Sequence, residues 1–178
     1  MGKIEVICGP MFSGKSEELM RRLNRALIAK RPFQLYKPAA DSRYSKDEVV
    51  SHAGKKMKCT PIQDAGIMVE LVEKETKIVA IDEAQFFGPG LLPTILSLVG
   101  AGKRVMVAGL DMDSDGVPFG SMGSVMAMAE SITKLRAVCE VCGEDATHTY
   151  RRKDCDTSQI LVGEKDFYEA RCRAHWIP

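Results

Sequence analysis

From residue 3 to about residue 132, short apolar runs alternate with stretches of helical periodicity. The apolar runs fall at residues 4–8, 34–36, 77–81 and 104–108, and nearly continuous runs of this kind are typical of buried parallel strands. Between them, apolar residues recur at helical spacing over residues 17–30, 64–73 and 93–101. The alternation predicts an α/β fold, in which a parallel sheet carries helices on both faces.

Two of the predicted helices carry recognisable end signals. Pro32 should end the first helix, because proline cannot continue a helical hydrogen-bond ladder. Asp64 should cap the second, whose inward face we expect to be formed by Ile67, Met68 and Leu71. Two connections, residues 38–58 and 151–162, are longer than passive linkers usually are and are candidates for mobility.

The first apolar run leads directly into the pattern G-x-x-x-x-G-K-S, followed by a predicted helix. Glycines let such a loop curl its N–H groups around phosphate oxygens, and the helix N-terminus adds a favourable dipole. Lys15 can reach the β- and γ-phosphates, and the Ser16 hydroxyl can bind Mg²⁺. A glycine-rich turn without a ligand is the alternative, but the strand–loop–helix context favours a nucleoside triphosphate site. Its residues are Gly9, Pro10, Met11, Phe12, Ser13, Gly14, Lys15 and Ser16.

Two adjacent acids, Asp82 and Glu83, follow the apolar run at residues 77–81. An aspartate at this place holds Mg²⁺ in phosphate-loop enzymes. Glu83 could accept the proton of a substrate hydroxyl, or it could orient water in a hydrolytic ATPase. Phe86 and Phe87 come next, and on spacing alone they are equally compatible with stacking on a base and with packing in the core.

The character of the chain changes after residue 130, and residues 137–178 resemble a small module of loops and hairpins that is rich in Cys, His and Arg. Two pairs with two-residue gaps offer three thiolates and one imidazole, which matches a structural Zn²⁺ site. Free core cysteines or a redox C-x-x-C are the alternatives. Cys8 is expected in the core, and the sequence indicates no role for Cys59 or Cys155. The four predicted ligands are Cys139, Cys142, Cys172 and His175.

Charge and hydropathy narrow the classes of partner. The 178 residues include 25 Lys and Arg against 24 Asp and Glu, a net charge of +1. This balance gives no electrostatic reason to expect a nucleic-acid polymer as a partner. No apolar run is long enough to cross a membrane, and the chain enters its first strand without a signal-peptide pattern. We therefore expect a cytoplasmic protein with reduced thiols and no membrane partner.

Taken together, the motifs resemble the thymidine kinases of the zinc-containing type found in bacteria, animals and poxviruses. The resemblance covers essentially the whole chain. It implies a RecA-like P-loop domain over residues 1–136, and a zinc-bound lasso domain over residues 137–178 that covers the nucleoside. The motifs that carry it are residues 9–16, Asp41-Ser42-Arg43-Tyr44, Ser51-His52, Asp82-Glu83-Ala84-Gln85-Phe86-Phe87, Gly109-Leu110-Asp111, Pro118-Phe119-Gly120 and the Cys/His pairs.

The resemblance also implies roles for single residues. Glu83 would deprotonate the 5′-hydroxyl of thymidine, and Arg43 would stabilise charge on the transferring phosphoryl group. Lys15, Ser16, Asp82 and Asp41 would organise Mg²⁺ with ATP. The loop of Leu161, Val162 and Gly163 would cover the thymine through backbone hydrogen bonds. The remaining base pocket would comprise Met11, Phe86, Leu110, Phe119, Thr149 and Tyr168.

The family further implies a homotetramer and feedback inhibition by thymidine triphosphate, whereas the sequence leaves open whether deoxyuridine is a substrate and whether ATP or GTP is the donor. A few positions depart from its pattern. Ser114 stands where animal and viral members have a phenylalanine, so one wall of the pocket should be more open. Glu164 follows Gly163 where a second glycine is common, which should stiffen the covering loop. His175 replaces a frequent cysteine, and zinc accepts either. Ala84, often glycine elsewhere, is expected to be neutral, and His52 is as consistent with an exposed loop residue as with a ligand contact.

Two other functions are compatible with parts of the sequence. In a DNA-dependent ATPase or recombinase-like module, Glu83 would activate water. In a zinc-ribbon module fused to a nucleotide switch, the Cys/His pairs would support nucleic-acid binding. The sequence shows no basic groove, second-domain machinery or sensor motif that would support the first function. The near-neutral charge argues against the second, for which salt-dependent DNA binding would be the test.

Overall fold

Six parallel strands form the central sheet, as the alternating pattern predicts. The computed structural model describes residues 1–39, 48–50, 56–152 and 167–177. The strands of the sheet are β1 (Lys3–Cys8), β2 (Phe33–Pro38), β5 (Thr60–Ile62), β6 (Ile78–Ile81), β7 (Arg104–Gly109) and β8 (Ser131–Lys134). They lie in the order β5-β2-β6-β7-β1-β8. Separately, β3 (Glu48–Val50) pairs antiparallel with β4 (Lys56–Lys58).

Helices cover both faces of this sheet because alternate strand residues point to opposite sides. Helix α1 (Lys15–Ile28) packs Leu19 and Leu23 on one face, against side chains that include Ile7 of β1 and Met106 of β7. On the other face, α2 (Met68–Leu71), α3 (Leu91–Gly100) and α4 (Met122–Ala127) pack against Val6, Val79 and Val107. Two apolar layers thus enclose the sheet.

The first two helices end differently from the predictions. Helix α1 stops at Ile28, before Pro32, because Lys30 takes a left-handed conformation (φ 52°). The amides of Lys30 and Arg31 then bond back to the carbonyls of Leu27 and Ala26, which is the Schellman arrangement. The proline is therefore not what ends the helix.

The expected helix over residues 64–73 is shorter and faces differently. Asp64 does cap it, accepting a 2.7 Å hydrogen bond from the Gly66 amide, but a 3₁₀ turn (Ala65–Ile67) precedes the short α2. Met68 is buried as expected, whereas Ile67 is 40% and Leu71 43% exposed. The predicted inward face was wrong for these two residues, because the change from a 3₁₀ turn to an α-helix alters the angular spacing of the side chains.

Short antiparallel pairs make up the described C-terminal part, in agreement with the predicted hairpins. They are β9 (Ala137–Val138) with β10 (Asp145–Ala146), and β11 (His148–Arg151) with β12 (Tyr168–Arg171). Ala137, Ala146 and Ala170 form a small apolar cluster on which Phe12 packs. A separate domain boundary at residues 136/137 stays a prediction. Within the described ranges, no helix has the length and apolarity needed to span a bilayer.

Candidate active site

The carboxyl ends of β1, β7 and β6 lie side by side at one edge of the sheet. Cys8 at the end of β1 is level with Gly109 at the end of β7. In open α/β sheets ligands bind at this edge. The loop after β1, the acids after β6 and the segment after β7 therefore meet at one site, although more than 60 residues separate the first from the second.

The loop after β1 has the backbone that a phosphate cradle needs. Gly9 has φ 144° and Gly14 has φ 81°, both in the region that favours glycine. A Cβ on Gly9 would lie 2.5 Å from the carbonyl oxygen of Leu135, so the neighbouring chain leaves no space for a side chain. Helix α1 begins at Lys15 and directs its N-terminus toward the loop.

The polar side chains of this loop lie close to one another. Lys15 Nζ donates to the Pro10 carbonyl at 2.7 Å, and Ser13 Oγ donates to the same oxygen at 2.8 Å. The ammonium group thus lies across the loop, over the backbone that would surround a phosphate. This geometry fits a triphosphate, whose negative oxygens both the lysine and the backbone N–H groups can bind.

Asp82 and Ser16 form a candidate magnesium site. Ser16 Oγ donates to Asp82 Oδ2 at 2.9 Å, and Asp82 is only 4% exposed. Burial and the neighbouring charge of Glu83 raise the pKa of Asp82 well above its ordinary value. A carboxylate that is destabilised in this way gains from a bound cation, and a hydroxyl beside a carboxylate is a hard oxygen pair of the kind that Mg²⁺ prefers.

Glu83 adopts a left-handed conformation, with φ 50° and ψ 39°, which is uncommon for a residue with a Cβ. Backbone strain of this kind often occurs at functional sites. The turn places Glu83 beside Gln85, whose Nε2 donates to Glu83 Oε2 at 2.6 Å. Gln85 is buried, and its Oε1 accepts a 3.0 Å hydrogen bond from the Leu110 amide.

Gln85 is a residue for which the sequence reasoning assigned no role. It belongs to one of the motifs of the sequence, but no pattern in the sequence connects its side-chain carboxamide to Glu83 or to the segment after β7. The only local signal was a polar residue next to two aromatic ones, which does not by itself reveal a bridge to a residue 25 positions away.

The predicted nucleoside residues fall into three contacts around this edge. Phe86 meets Phe119 edge-to-face, with ring centroids 5.6 Å apart. The backbone amide of Leu110 donates a hydrogen bond to Gln85 Oε1. Met11 donates its amide to Thr149 Oγ1 at 3.0 Å, joining the phosphate loop to the C-terminal strands.

The other predicted residues lie away from these three contacts or outside the ranges that the structure describes. Tyr168 lies at the start of β12, opposite Arg151 of β11. Phe87 is a core residue, whereas Phe86 is 36% exposed, so core packing belongs to Phe87 and base stacking by Phe86 stays a prediction. Several predicted residues lie outside the described ranges: Asp41, Arg43, His52, Cys155, Leu161, Val162, Gly163 and Glu164.

The four predicted metal ligands converge. Their ligand atoms all lie within 4.8 Å of one another. Cys142 Sγ is 3.8 Å from Cys172 Sγ, and Cys139 Sγ is 3.8 Å from His175 Nδ1. Two sulfurs at about 2.3 Å from a tetrahedral Zn²⁺ would be roughly 3.8 Å apart, so the spacing fits this ion. The cluster could hold zinc, and four protein ligands leave no open position for a catalytic water.

The surroundings of Cys139, the first cysteine of this cluster, favour its ionised form. Removal from water opposes the charged form of Cys139, but backbone N–H groups of Cys172, Cys142 and Val141 outweigh it and lower its pKa to about 6. A thiolate is the form that binds metal. These N–H groups therefore favour the form of Cys139 that would bind a metal ion.

Comparison with known families gives one finding for this chain. Residues 2–176 match the family model described as thymidine kinase. The match spans nearly the whole chain, including both the phosphate-loop sheet and the C-terminal Cys/His cluster.

Proposed function

This chain belongs to the thymidine kinase family, and we propose that it transfers the γ-phosphoryl group of ATP to the 5′-hydroxyl of thymidine, with Glu83 as the general base. Family membership makes it an enzyme that phosphorylates thymidine. The identity of the donor, the catalytic role of Glu83 and the tolerance of deoxyuridine are parts of the proposal. The product would be thymidine monophosphate for the salvage of DNA precursors.

The observation that carries the proposal is the position of Glu83. Its carboxylate follows β6 at the same sheet edge as the phosphate loop, and the carboxamide of Gln85 holds it. A base there can take the proton of a 5′-hydroxyl while the oxygen attacks the γ-phosphorus in line. The bond to the β–γ bridging oxygen breaks, and ADP leaves.

The protein contributes mainly position and charge. Lys15 would bind the β- and γ-phosphates, and Arg43 would stabilise the transferring group. Ser16 and Asp82, together with Asp41, would hold Mg²⁺, which supplies charge neutralisation on the phosphate oxygens when bound. Phosphoryl transfer needs little covalent chemistry from the enzyme, so this set is sufficient.

The nucleoside would lie between the phosphate loop and the C-terminal strands. Phe86 and Phe119 offer aromatic surfaces on one side, and Thr149 and Met11 join the two parts of the chain on the other. Leu110 connects this pocket to Glu83 through Gln85. Tyr168 and the loop of Leu161, Val162 and Gly163 would complete it, and the Zn²⁺ would tie the module together rather than take part in the reaction.

The same resemblance supports three further proposals. We expect a homotetramer, inhibition by thymidine triphosphate, and a cytoplasmic location. Light scattering of the purified chain tests the first. Competition between thymidine triphosphate and thymidine tests the second, because a feedback inhibitor that carries the thymidine group should raise the apparent KM for thymidine.

A direct assay separates the proposal from its rivals. ADP release from Mg-ATP should be measured with thymidine, deoxycytidine, deoxyadenosine, deoxyguanosine or single-stranded DNA added separately. Acceleration by thymidine, with or without deoxyuridine, supports the kinase. Release that rises with DNA and not with nucleosides would instead show that Glu83 activates water in a DNA-dependent ATPase.

A further inference from the structure

Trp176, the only tryptophan of the chain, directly follows the metal-cluster residue His175. Its amide donates to the Cys172 carbonyl at 2.9 Å, so the same short turn that brings Cys172 and His175 together also places the indole. The ring stacks on buried His148 of β11, with centroids 4.7 Å apart and planes 25° from parallel. The C-terminal module therefore holds Trp176 through its backbone amide and through one face of its ring.

The free edge of the indole reaches a distant segment. Trp176 Nε1 donates a 3.2 Å hydrogen bond to the carbonyl of Ser114, which is 62 residues earlier. Gly116 lies against the six-membered ring of the indole: a Cβ built on it would be 2.5 Å from Cη2. Gly116 also has φ 75°, so it is suited to this turn for conformational as well as steric reasons.

The contacted segment is a tight turn that leads into the proposed nucleoside pocket. Asp113 Oδ1 accepts from the amides of Asp115 and Val117, and Met112 pairs with Pro118. On one side the turn is continuous with Leu110, which bonds to Gln85. On the other side it is continuous with Phe119, whose ring packs on Phe86.

We infer that Trp176 is a positioning residue for nucleoside binding, connecting the metal cluster to the turn between Leu110 and Phe119. The inference rests on the proposed function, because Leu110 and Phe119 matter here as pocket residues. The metal would fix the turn at Cys172–His175, that turn fixes the indole, and the indole holds Ser114 and Gly116. Of the phosphate loop, Pro10, Ser13 and Lys15 make none of these contacts.

This arrangement predicts a selective kinetic effect. Replacing the indole should loosen the turn, and thymidine must then order it on binding. The KM for thymidine should rise roughly fivefold or more, as expected for the loss of one hydrogen bond with its packing. The KM for ATP should be unchanged, because Lys15, Ser13 and Pro10 make none of these contacts.

A residue that merely packs would behave differently. It would lower the melting temperature and the active fraction, which reduces kcat for every substrate while leaving both KM values as they are. The split between the KM for thymidine and the KM for ATP therefore separates the two roles. A second criterion is the effect of a conservative substitution: a variant that keeps an aromatic ring at position 176 should recover part of the lost affinity for thymidine.

The experiment compares Trp176→Leu, Trp176→Phe and Ile177→Ala in the full-length, metal-loaded chain. Trp176→Phe keeps an aromatic ring for His148 but loses the N–H, so its effect should be intermediate. Ile177→Ala is the matched control, since Ile177 is adjacent and 70% exposed. Bound zinc, both KM values and kcat are measured for each. Hydrogen exchange at the backbone amides of residues 113–119 reports the order of the turn directly. Exchange should be faster in Trp176→Leu than in the wild type, and any increase in the other two variants should be smaller.

The outcomes are distinguishable. A zinc-loaded Trp176→Leu variant with unchanged KM for thymidine and unchanged exchange at residues 113–119 would overturn the inference while the kinase assignment stands. A wild-type chain that does not phosphorylate thymidine would overturn the proposed function and the inference with it. Selective loss of thymidine affinity with faster exchange supports both.

Discussion

Gln85 joins two parts of the site through one carboxamide: Nε2 donates to Glu83 Oε2 at 2.6 Å, and Oε1 accepts from the Leu110 amide at 3.0 Å. The first contact orients the proposed base, and the second fixes the start of the segment that carries the nucleoside pocket. Because the carboxamide is buried, water cannot easily replace either contact. The position of the base is therefore tied to the position of the nucleoside.

Glu83→Gln should remove the base while it preserves the shape of the site. We expect kcat to fall by about 10²–10⁴, the usual contribution of general base catalysis, with little change in ATP affinity. Steady-state kinetics with thymidine and equilibrium binding of an ATP analogue provide the two measurements. Activity comparable to that of the wild type would rule out Glu83 as the base.

Gln85→Leu should impair catalysis, although Gln85 is not proposed to contact the substrate. It leaves the Leu110 N–H buried without its partner and releases Glu83, so we expect kcat to fall roughly tenfold or more, as for a lost hydrogen bond to a charged group. The control is Gln63→Leu, which makes the same change at an exposed position. If both variants keep the wild-type kcat, the bridge has no catalytic role.

Asp82→Asn should weaken the use of Mg²⁺. The amide can still accept from Ser16 Oγ, but it lacks the charge that attracts a divalent cation. Activity should then need a higher free Mg²⁺ concentration and should partly recover at saturation. Titration of activity against free Mg²⁺ tests this, with Asp64→Asn as a control that keeps a good helix cap elsewhere. Coincident titration curves for wild type and Asp82→Asn would contradict the assignment.

Removal of metal should unfold the C-terminal module and spare the sheet. The cluster residues come from β-hairpin segments with only a small apolar cluster of their own, so bound zinc would supply much of their stability. Metal analysis should find about one Zn²⁺ per chain, and chelation should lower the melting temperature. Cys142→Ser should mimic chelation, whereas Val141→Ala, between the first two ligands, should not. Full cysteine reactivity before chelation, with unchanged melting afterwards, would exclude a bound metal.

Glu5 should stabilise the fold in a pH-dependent way. Burial opposes its charge, but Arg104 at 2.7 Å and Lys3 at 2.6 Å outweigh this and lower its pKa to about 2, from an ordinary value of 4.5. Because the folded-state pKa is the lower one, the stabilisation is present above pH 4.5 and is lost as the pH falls toward 2. The difference between the folded-state and ordinary pKa values corresponds to about 3 kcal/mol in the free energy of unfolding.

Denaturant unfolding of Glu5→Gln tests this prediction. The variant should be destabilised at pH 7 by a few kcal/mol, and the gap from the wild type should narrow between pH 4.5 and pH 2. Glu75→Gln, at an exposed position, should show no comparable gap. A gap that stays constant down to pH 2 would mean that charge is not the source of the stabilisation.

Local motifs predicted most of the residues that the candidate site brings together. The phosphate loop, the acids after β6 and the two Cys/His pairs could be recognised because each depends on neighbouring residues at short, regular spacing. The parallel sheet followed from its apolar runs, since a strand buried on both faces has no polar alternation. The end of α1 and the facing of α2 were less predictable, because the left-handed Lys30 ends α1 before Pro32 and a 3₁₀ turn changes the angular spacing of the side chains before α2.

The groups that could bind phosphate, metal and a base can be recognised in the sequence, because these properties belong to residue types at fixed spacing. The distant residues that hold those groups in place become evident only in the folded protein. Gln85 meets Leu110 and Trp176 meets Ser114 because the sheet and the small C-terminal strands bring separate segments together. Such contacts leave no periodic signal in the chain, since they depend on the packing of elements that are far apart in sequence.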